Sequence, residues 1–178
     1  RTTLSNEEVL YIEKESKLYF LKYKIENSEE YIIVATTRPE TIFGDTAVAI
    51  NPKDKRYRKL KGKNLVVPIV NRIIPVVFDE FVEKDFGTGC LKVTPAHSEM
   101  DFKIGLKHKL DIIDIFNDDA TLNKNGLHYD GLDRFVVRKK ILKELEKNNQ
   151  LIETKKYKNK VSISERTSCI VEPKLSTQ

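Results

Sequence analysis

The sequence predicts an α+β domain, mostly β, in which a twisted barrel-like sheet carries a few short helices. Three observations point there. Apolar and polar residues alternate over short runs, as at Tyr19, Leu21, Tyr23 and Ile25, and a period of two belongs to a strand with one buried face. Turn-forming residues interrupt the chain between such runs, at Asn27-Ser28-Glu29-Glu30, Asn125-Gly126 and Asp130-Gly131. Helical spacing is confined to a few stretches; the strongest contains Phe135, Val136, Ile141, Leu142 and Leu145.

Taken in order, residues 1–16 read as an entry segment, with Ser5-Asn6-Glu7-Glu8 resembling a helix start. Leu18–Ile25 and Tyr31–Thr36 are strands joined by a polar turn, a hairpin. Pro39 suits the first position of a short helix or turn. Thr46–Ile50 is a third strand and Asp54–Leu60 a short charged helix. Leu65–Pro68, Arg72–Val77 and Cys90–Val93 are further short strands, the last preceded by Gly87 and Gly89. Ser98 caps a helix running to about Lys107. Asp111–Phe116 reads as a strand and 117–131 as a polar loop. A basic helix spans about Leu132 to Asn148, Leu151–Lys158 is a strand, and the tail to Gln178 is irregular.

A length of 178 residues fits one domain, or one with a short appendage. No apolar run approaches the roughly 18 residues of a membrane span. Cys90 and Cys169 are too few and too far apart for a disulfide framework or a C-x-x-C metal site, so a reducing, cytoplasmic compartment is expected. Met100 is the only methionine, and a first residue of Arg reads as a cut from a longer protein. The net charge of +5 is local. Ten basic and three acidic residues lie between Arg134 and Lys160. Such a stripe is either an electrostatic footprint for phosphates or a solvated helix face.

Most catalytic patterns are missing. There is no G-x-S-x-G, Walker A, H-E-x-x-H or G-x-G-x-x-G motif, and His97, His108 and His128 lack metal-ligand spacing. No metal and no cofactor is expected. Two segments stand out. Ala35-Thr36-Thr37-Arg38-Pro39-Glu40-Thr41 places hydroxyls and an Arg where a strand turns into a helix start. It reads as a site for an anion or carbonyl oxygen, or as an ordinary cap whose threonines satisfy the backbone. The second, Glu83 to Asp101, sets Lys92 and Thr94 on one face of a strand and leads to His97 and Asp101 at the next helix start. It reads as a polar pocket, or as a surface lysine with a dipole-compensating acid.

Together with the tail, these segments are recognisable. TTRPET at 36–41, IFGDTAVAINPKDKRY at 42–57, DEFVEKDFGTGCLKVTPAH at 79–97 and SERTSCIVEPKLSTQ at 164–178 resemble the editing insertion of the valyl-tRNA synthetase family. The resemblance spans nearly the whole chain in the right order. It implies a single editing domain over 1–178, with 1–16 and 161–178 connecting it to a catalytic core. It also implies the activity: hydrolysis of the ester in threonyl-tRNA(Val). The HIGH and KMSKS signatures of the synthetic site are absent, so no amino-acid activation is expected. The implied partners are the acceptor end of mischarged tRNA(Val) and the remainder of the full-length synthetase, with no membrane. Two other readings stay open: a non-catalytic module binding the tRNA acceptor end, and a free-standing deacylase.

The resemblance also distributes roles. Arg38 and Thr41 contact the aminoacyl group and terminal nucleotide. Glu83 and Phe86 surround the terminal adenosine, Phe86 as a stacking surface. Lys92 and Thr94 are polar groups at the ester, with Lys92 and backbone N–H groups stabilising developing negative charge. Asp101 anchors the substrate ammonium and helps select the hydroxyl. One position departs from the family pattern: Ser98 stands where an Asp usually follows Pro-Ala-His. Either the site lacks that carboxylate or Glu99 replaces it.

Valyl-tRNA synthetase is itself the reference case for why such a site exists, since a hydrophobic valine pocket rejects threonine only about 10²-fold. The two amino acids are nearly isosteric, so the second site must read the hydroxyl. A polar pocket does so because valine leaves a buried polar group unpaired, at a cost of about 1–3 kcal/mol.

Overall fold

The computed structural model describes residues 9–173. The helix start expected at Ser5–Glu8 lies outside them. Seven strands form one curled sheet: β1 (Val9–Ile25), β2 (Tyr31–Thr36), β3 (Ala47–Ile50), β4 (Asn64–Val66), β5 (Ile73–Phe78), β6 (Cys90–Val93) and β7 (Leu151–Ser164). The path runs β2-β1-β4-β5-β3-β6, with β7 also on β1. All pairings are antiparallel except β3 with β5. Two α-helices, α1 (Glu99–His108) and α2 (Arg134–Lys147), complete the regular structure with short 3₁₀ turns at Pro39–Gly44, Lys55–Leu60 and Lys124–Tyr129.

The sheet curls back on itself. The Thr88 hydroxyl, just ahead of β6, donates to the Ile33 carbonyl of β2 at 2.6 Å. Gly87 has a φ of +57°, and a Cβ there would stand 2.8 Å from Ala35 Cβ. The left-handed backbone and the close approach both require glycine.

β3 shows how the two-residue period divides the core. Val48 and Ile50 enter the main cluster with Leu21, Tyr23, Ile42, Phe43, Leu65 and Ile74. Ala47 and Ala49 face the other way, into a smaller cluster with Val82, Val93 and Ile104 of α1. Small residues on that face let the helix sit close to the sheet.

Three expectations need correction. Asp111–Phe116 is not a strand; only Phe116 makes a bridge, to Leu122. Its Ile-rich pattern instead packs Ile115 and Phe116 into the main core as irregular chain. The buried face of α2 is Arg134, Val137, Ile141 and Leu145, whereas Phe135 and Val136 are exposed. The apolar spacing of Phe135, Val136, Ile141, Leu142 and Leu145 predicts a different face, because it gives no place to Arg134, which is buried with its partners. Finally, β1 and β7 are longer than their apolar patterns. Val9–Ser16 pairs with Tyr157–Ser164 as a two-stranded ribbon, most of whose side chains are exposed or half-buried.

Candidate active site

Strand β2 ends at Thr36, and Pro39 starts the 3₁₀ turn, its fixed φ suited to that position. The threonines satisfy backbone here. Thr36 Oγ1 accepts from the Arg38 N–H at 3.0 Å, and Thr41 Oγ1 donates to the Arg38 carbonyl at 2.9 Å. The threonines thus satisfy local backbone groups without capping the turn, and Thr36 and Thr41 also line the cleft described below. The turn closes at Gly44, where a Cβ would lie 2.9 Å from Thr94 Cγ2 and 3.0 Å from the Ile113 carbonyl oxygen.

Arg38 lies at the centre of an ion-pair chain that the sequence did not reveal. Its Nη1 donates to the His97 carbonyl at 3.1 Å, its Nη2 to Glu172, and its Nε reaches Glu40 at 3.5 Å. Fully buried Glu40 accepts a two-pronged contact from Arg138 at 2.8 and 2.6 Å. Burial pushes the Glu40 carboxyl up, but Arg138 and then Arg38 outweigh it and hold it below the usual range. Arg134 continues the chain to Glu172 at 3.5 Å and donates to the Ile170 carbonyl at 2.9 Å. Two arginines of the basic stripe are therefore structural, joining α2 and the tail to the turn at Pro39.

Strand β6 presents Lys92, and the residue after it, Thr94, completes a compact polar knot. Lys92 Nζ donates to Thr94 Oγ1 and to Asp45 Oδ1, and Thr94 Oγ1 donates to Asp45 Oδ1, each at 2.6 Å. The Tyr23 hydroxyl donates to Asp45 Oδ2 at 2.5 Å. Burial, then the Asp45 charge, raises the Tyr23 pKa well above its usual value, so the phenol stays a donor. Arg72 holds the turn behind them through the Phe43 and Asp45 carbonyls at 2.9 and 3.0 Å.

Ser98 caps α1, accepting from the Asp101 N–H at 3.3 Å. Asp101, 8% exposed, accepts from the Thr94 N–H through Oδ2 at 2.8 Å. Burial raises its pKa, against the Thr94 N–H and the Lys92 charge. Glu99 points to solvent and pairs with Lys103 at 2.8 Å. It does not line the cleft, so it does not replace the carboxylate missing at Ser98. His97 is buried, and its Nε2 accepts from the Ile115 N–H at 3.0 Å. Burial drives its pKa down to about 4, so the ring is neutral at neutral pH. That lone pair is therefore committed, while the ring itself lines the cleft.

These groups surround a cleft of about 220 Å³. Arg38, Thr41, Phe86, Lys92, Thr94 and Asp101, singled out in two segments about 50 residues apart, all line it. Glu83 does not; its side chain is exposed, and its carbonyl accepts from the Phe86 N–H at 3.2 Å. The opposite wall comes from β7, as Tyr157 and Asn159. The Phe86 and Tyr157 rings meet edge-to-face with centroids 5.8 Å apart, and Phe86 remains 43% exposed, an aromatic surface at the mouth. Sequence reading missed Asp45, Tyr23, Tyr157 and Glu172. The only available signal was an Asp set between an apolar turn and an all-apolar strand. Among the described residues no cluster of His, Cys, Asp and Glu could hold a metal ion.

Comparison with known proteins bears on the family and the fold. The family described as "Leucyl-tRNA synthetase, editing domain" matches residues 58–167. Along the whole chain the protein is 61% identical to a valine–tRNA ligase of Christiangramia forsetii, covering 20% of that protein. It is 56% identical to one of Porphyromonas gingivalis over 99% of the chain and 20% of the relative. For one of Thermotoga maritima the identity is 51%, over 100% of the chain and 21% of the relative. The chain thus spans about a fifth of the length of the curated relatives it matches. Its fold is similar to part of the leucyl-tRNA synthetase of Agrobacterium radiobacter K84, solved in a ternary complex with tRNA and LeuAMS. The TM-score is 0.62 and the identity 20%, over 83% of this chain and 20% of that one. The chain belongs to the editing-domain family of the aminoacyl-tRNA synthetases, and its full-length likeness is to valine–tRNA ligases.

Proposed function

We propose that the domain hydrolyses the ester of threonyl-tRNA(Val) as part of a full-length valyl-tRNA synthetase. The observation that carries this is the chemistry of the cleft. A buried carboxylate (Asp101), an ammonium (Lys92) and a hydroxyl (Thr94) line a space bordered by exposed aromatic surface. An aminoacyl ester needs those three things: an anion for its α-ammonium, a donor for the developing oxyanion, and a partner for the threonine hydroxyl. An adenine at the ester's other end fits the Phe86 surface. The ester is already activated, so a positioned water and charge stabilisation suffice, with no covalent nucleophile.

Three of the five N–H donors of Arg38 hold the His97 carbonyl, Glu40 and Glu172, and the remaining two leave this cleft-lining side chain able to meet the substrate as well. The ends of β1 and β7 are paired side by side, Val9 with Ser164, which suits the entry and exit segments of an inserted domain.

The test is deacylation of threonyl-tRNA(Val) by the full-length enzyme and its Asp101→Ala variant. Loss of most threonine release in the variant supports the reading; unchanged release removes Asp101 from its assigned role. Binding of the acceptor end by both proteins without release by either favours the non-catalytic module.

A further inference from the structure

The knot behind Lys92 and Thr94 has a fixed hydrogen-bond polarity. An ammonium donates only, and a carboxylate accepts only. Lys92 Nζ is 2.6 Å from Thr94 Oγ1, so the threonine oxygen accepts there. Its own hydrogen then goes to Asp45 Oδ1, also at 2.6 Å. Tyr23 donates to the other Asp45 oxygen and keeps the carboxylate from rotating. Asp45 is fully buried, and Lys92 is only 6% exposed. Of the three ammonium hydrogens, two are spent inside the knot. Lys92 therefore offers the cleft one donor, and Thr94 offers it one lone pair.

We infer that Asp45, backed by Tyr23, is a positioning and specificity-determining residue that locks Thr94 as a hydrogen-bond acceptor and Lys92 as a donor toward the substrate. An acceptor fixed in this way matches a substrate side chain carrying a hydroxyl hydrogen and leaves an isosteric methyl group with an unmet polar neighbour. Neutralising Asp45 removes the lock. An amide presents N–H groups as well as an oxygen, so the Thr94 hydroxyl is free to turn its hydrogen toward the cleft. The inference rests on the proposed deacylase reading.

The experiment compares threonyl- and valyl-tRNA(Val) hydrolysis by the full-length enzyme as wild type, Asp45→Asn, Tyr23→Phe, Thr94→Ala and the Asp45→Asn/Thr94→Ala pair. For Asp45→Asn, kcat on the threonyl ester is expected to fall on the order of 10²-fold, with KM changed less than kcat. Selectivity over the valyl ester should shrink as well. For Tyr23→Phe, which leaves every other contact of the knot in place, the expected fall is about fivefold, the worth of one hydrogen bond. The double variant separates positioning from structure. Asp45→Asn should cost far less in the Thr94→Ala background than in the wild type. Additive losses, or a kcat for Asp45→Asn equal to that of the wild type while the wild type releases threonine, overturn the positioning role alone. A wild type that releases neither amino acid overturns this inference together with the deacylase reading. If Asp45→Asn does not fold, Tyr23→Phe and its pair with Thr94→Ala carry the same cycle, and additivity there overturns the inference equally.

Discussion

At the scale of single residues, Asp101 combines opposing demands. Burial favours its neutral form, yet holding an ammonium requires its charge. Its folded pKa is raised, so it favours the folded state fully only below the ordinary aspartate value. That contribution is lost as pH rises through the raised value. Asp101→Asn should therefore gain stability relative to the wild type as pH rises above the ordinary aspartate value, read by urea unfolding at each pH. The same shift places the acid limb of kcat/KM for threonyl-tRNA above the ordinary aspartate range, because that ratio reports groups of the free enzyme. Gly44 is the second sensitive residue. A Cβ there would stand 2.9 Å from Thr94 Cγ2 and 3.0 Å from a backbone oxygen, well inside van der Waals contact. Gly44→Ala should cost about 1–3 kcal/mol by overpacking and lower threonine release by displacing Thr94, measured by thermal unfolding and deacylation on the same protein.

At the scale of elements, the chain Arg138–Glu40–Arg38–Glu172 fixes α2 and the tail against the turn at Pro39. Arg138→Met leaves Glu40 buried without its principal partner and should destabilise by about 3–5 kcal/mol. Glu40→Gln paired with Arg138→Met should recover part of that loss, and denaturant midpoints decide it. This chain also marks the limit of sequence reading. Strands β2, β3 and β6, helix α1 and its Ser98 cap were legible because each follows from a local pattern. The Asp111–Phe116 segment was misread because a buried irregular chain and a buried strand share the same apolar run. Arg134 and Arg138 were misread because their partners lie about 40 and 100 residues away, and nothing local distinguishes a buried arginine from a solvated one. The site was legible by the same rule. Lys92, Thr94 and Asp101 lie within one strand-turn-helix segment, whereas Asp45 comes to them through the pairing of β3 with β6 and Tyr23 from the more distant β1.

At the scale of the whole molecule, the basic stripe divides into parts with different uses. Arg134 is buried and half-buried Arg138 is committed to Glu40, and exposed Lys158 and Lys160 of β7 stand across from Glu15 and Glu13 of β1. Lys156 instead stands across from Lys17, close to where Tyr157 enters the cleft. Phosphate attraction on the ribbon is therefore expected to centre on that lysine pair. Changing Lys17 and Lys156 to Gln in the full-length enzyme should weaken binding of the tRNA end and reduce the slope of log K against log salt by about 1.4, at about 0.7 per single-strand phosphate. An equal change at Lys158 and Lys160 should do less. No helix among the described residues is long and apolar enough to cross a membrane.

The central claim is that the cleft reads a hydroxyl on a near-isosteric side chain. The most direct measurement is the rate of amino-acid release from threonyl-tRNA(Val) and from valyl-tRNA(Val), side by side, with the full-length enzyme. A polar pocket that loses one buried hydrogen-bond partner with valine predicts threonine release faster by at least about fivefold, from the roughly 1–3 kcal/mol of an unpaired buried group. Equal rates for the two esters, or release of neither, would contradict it.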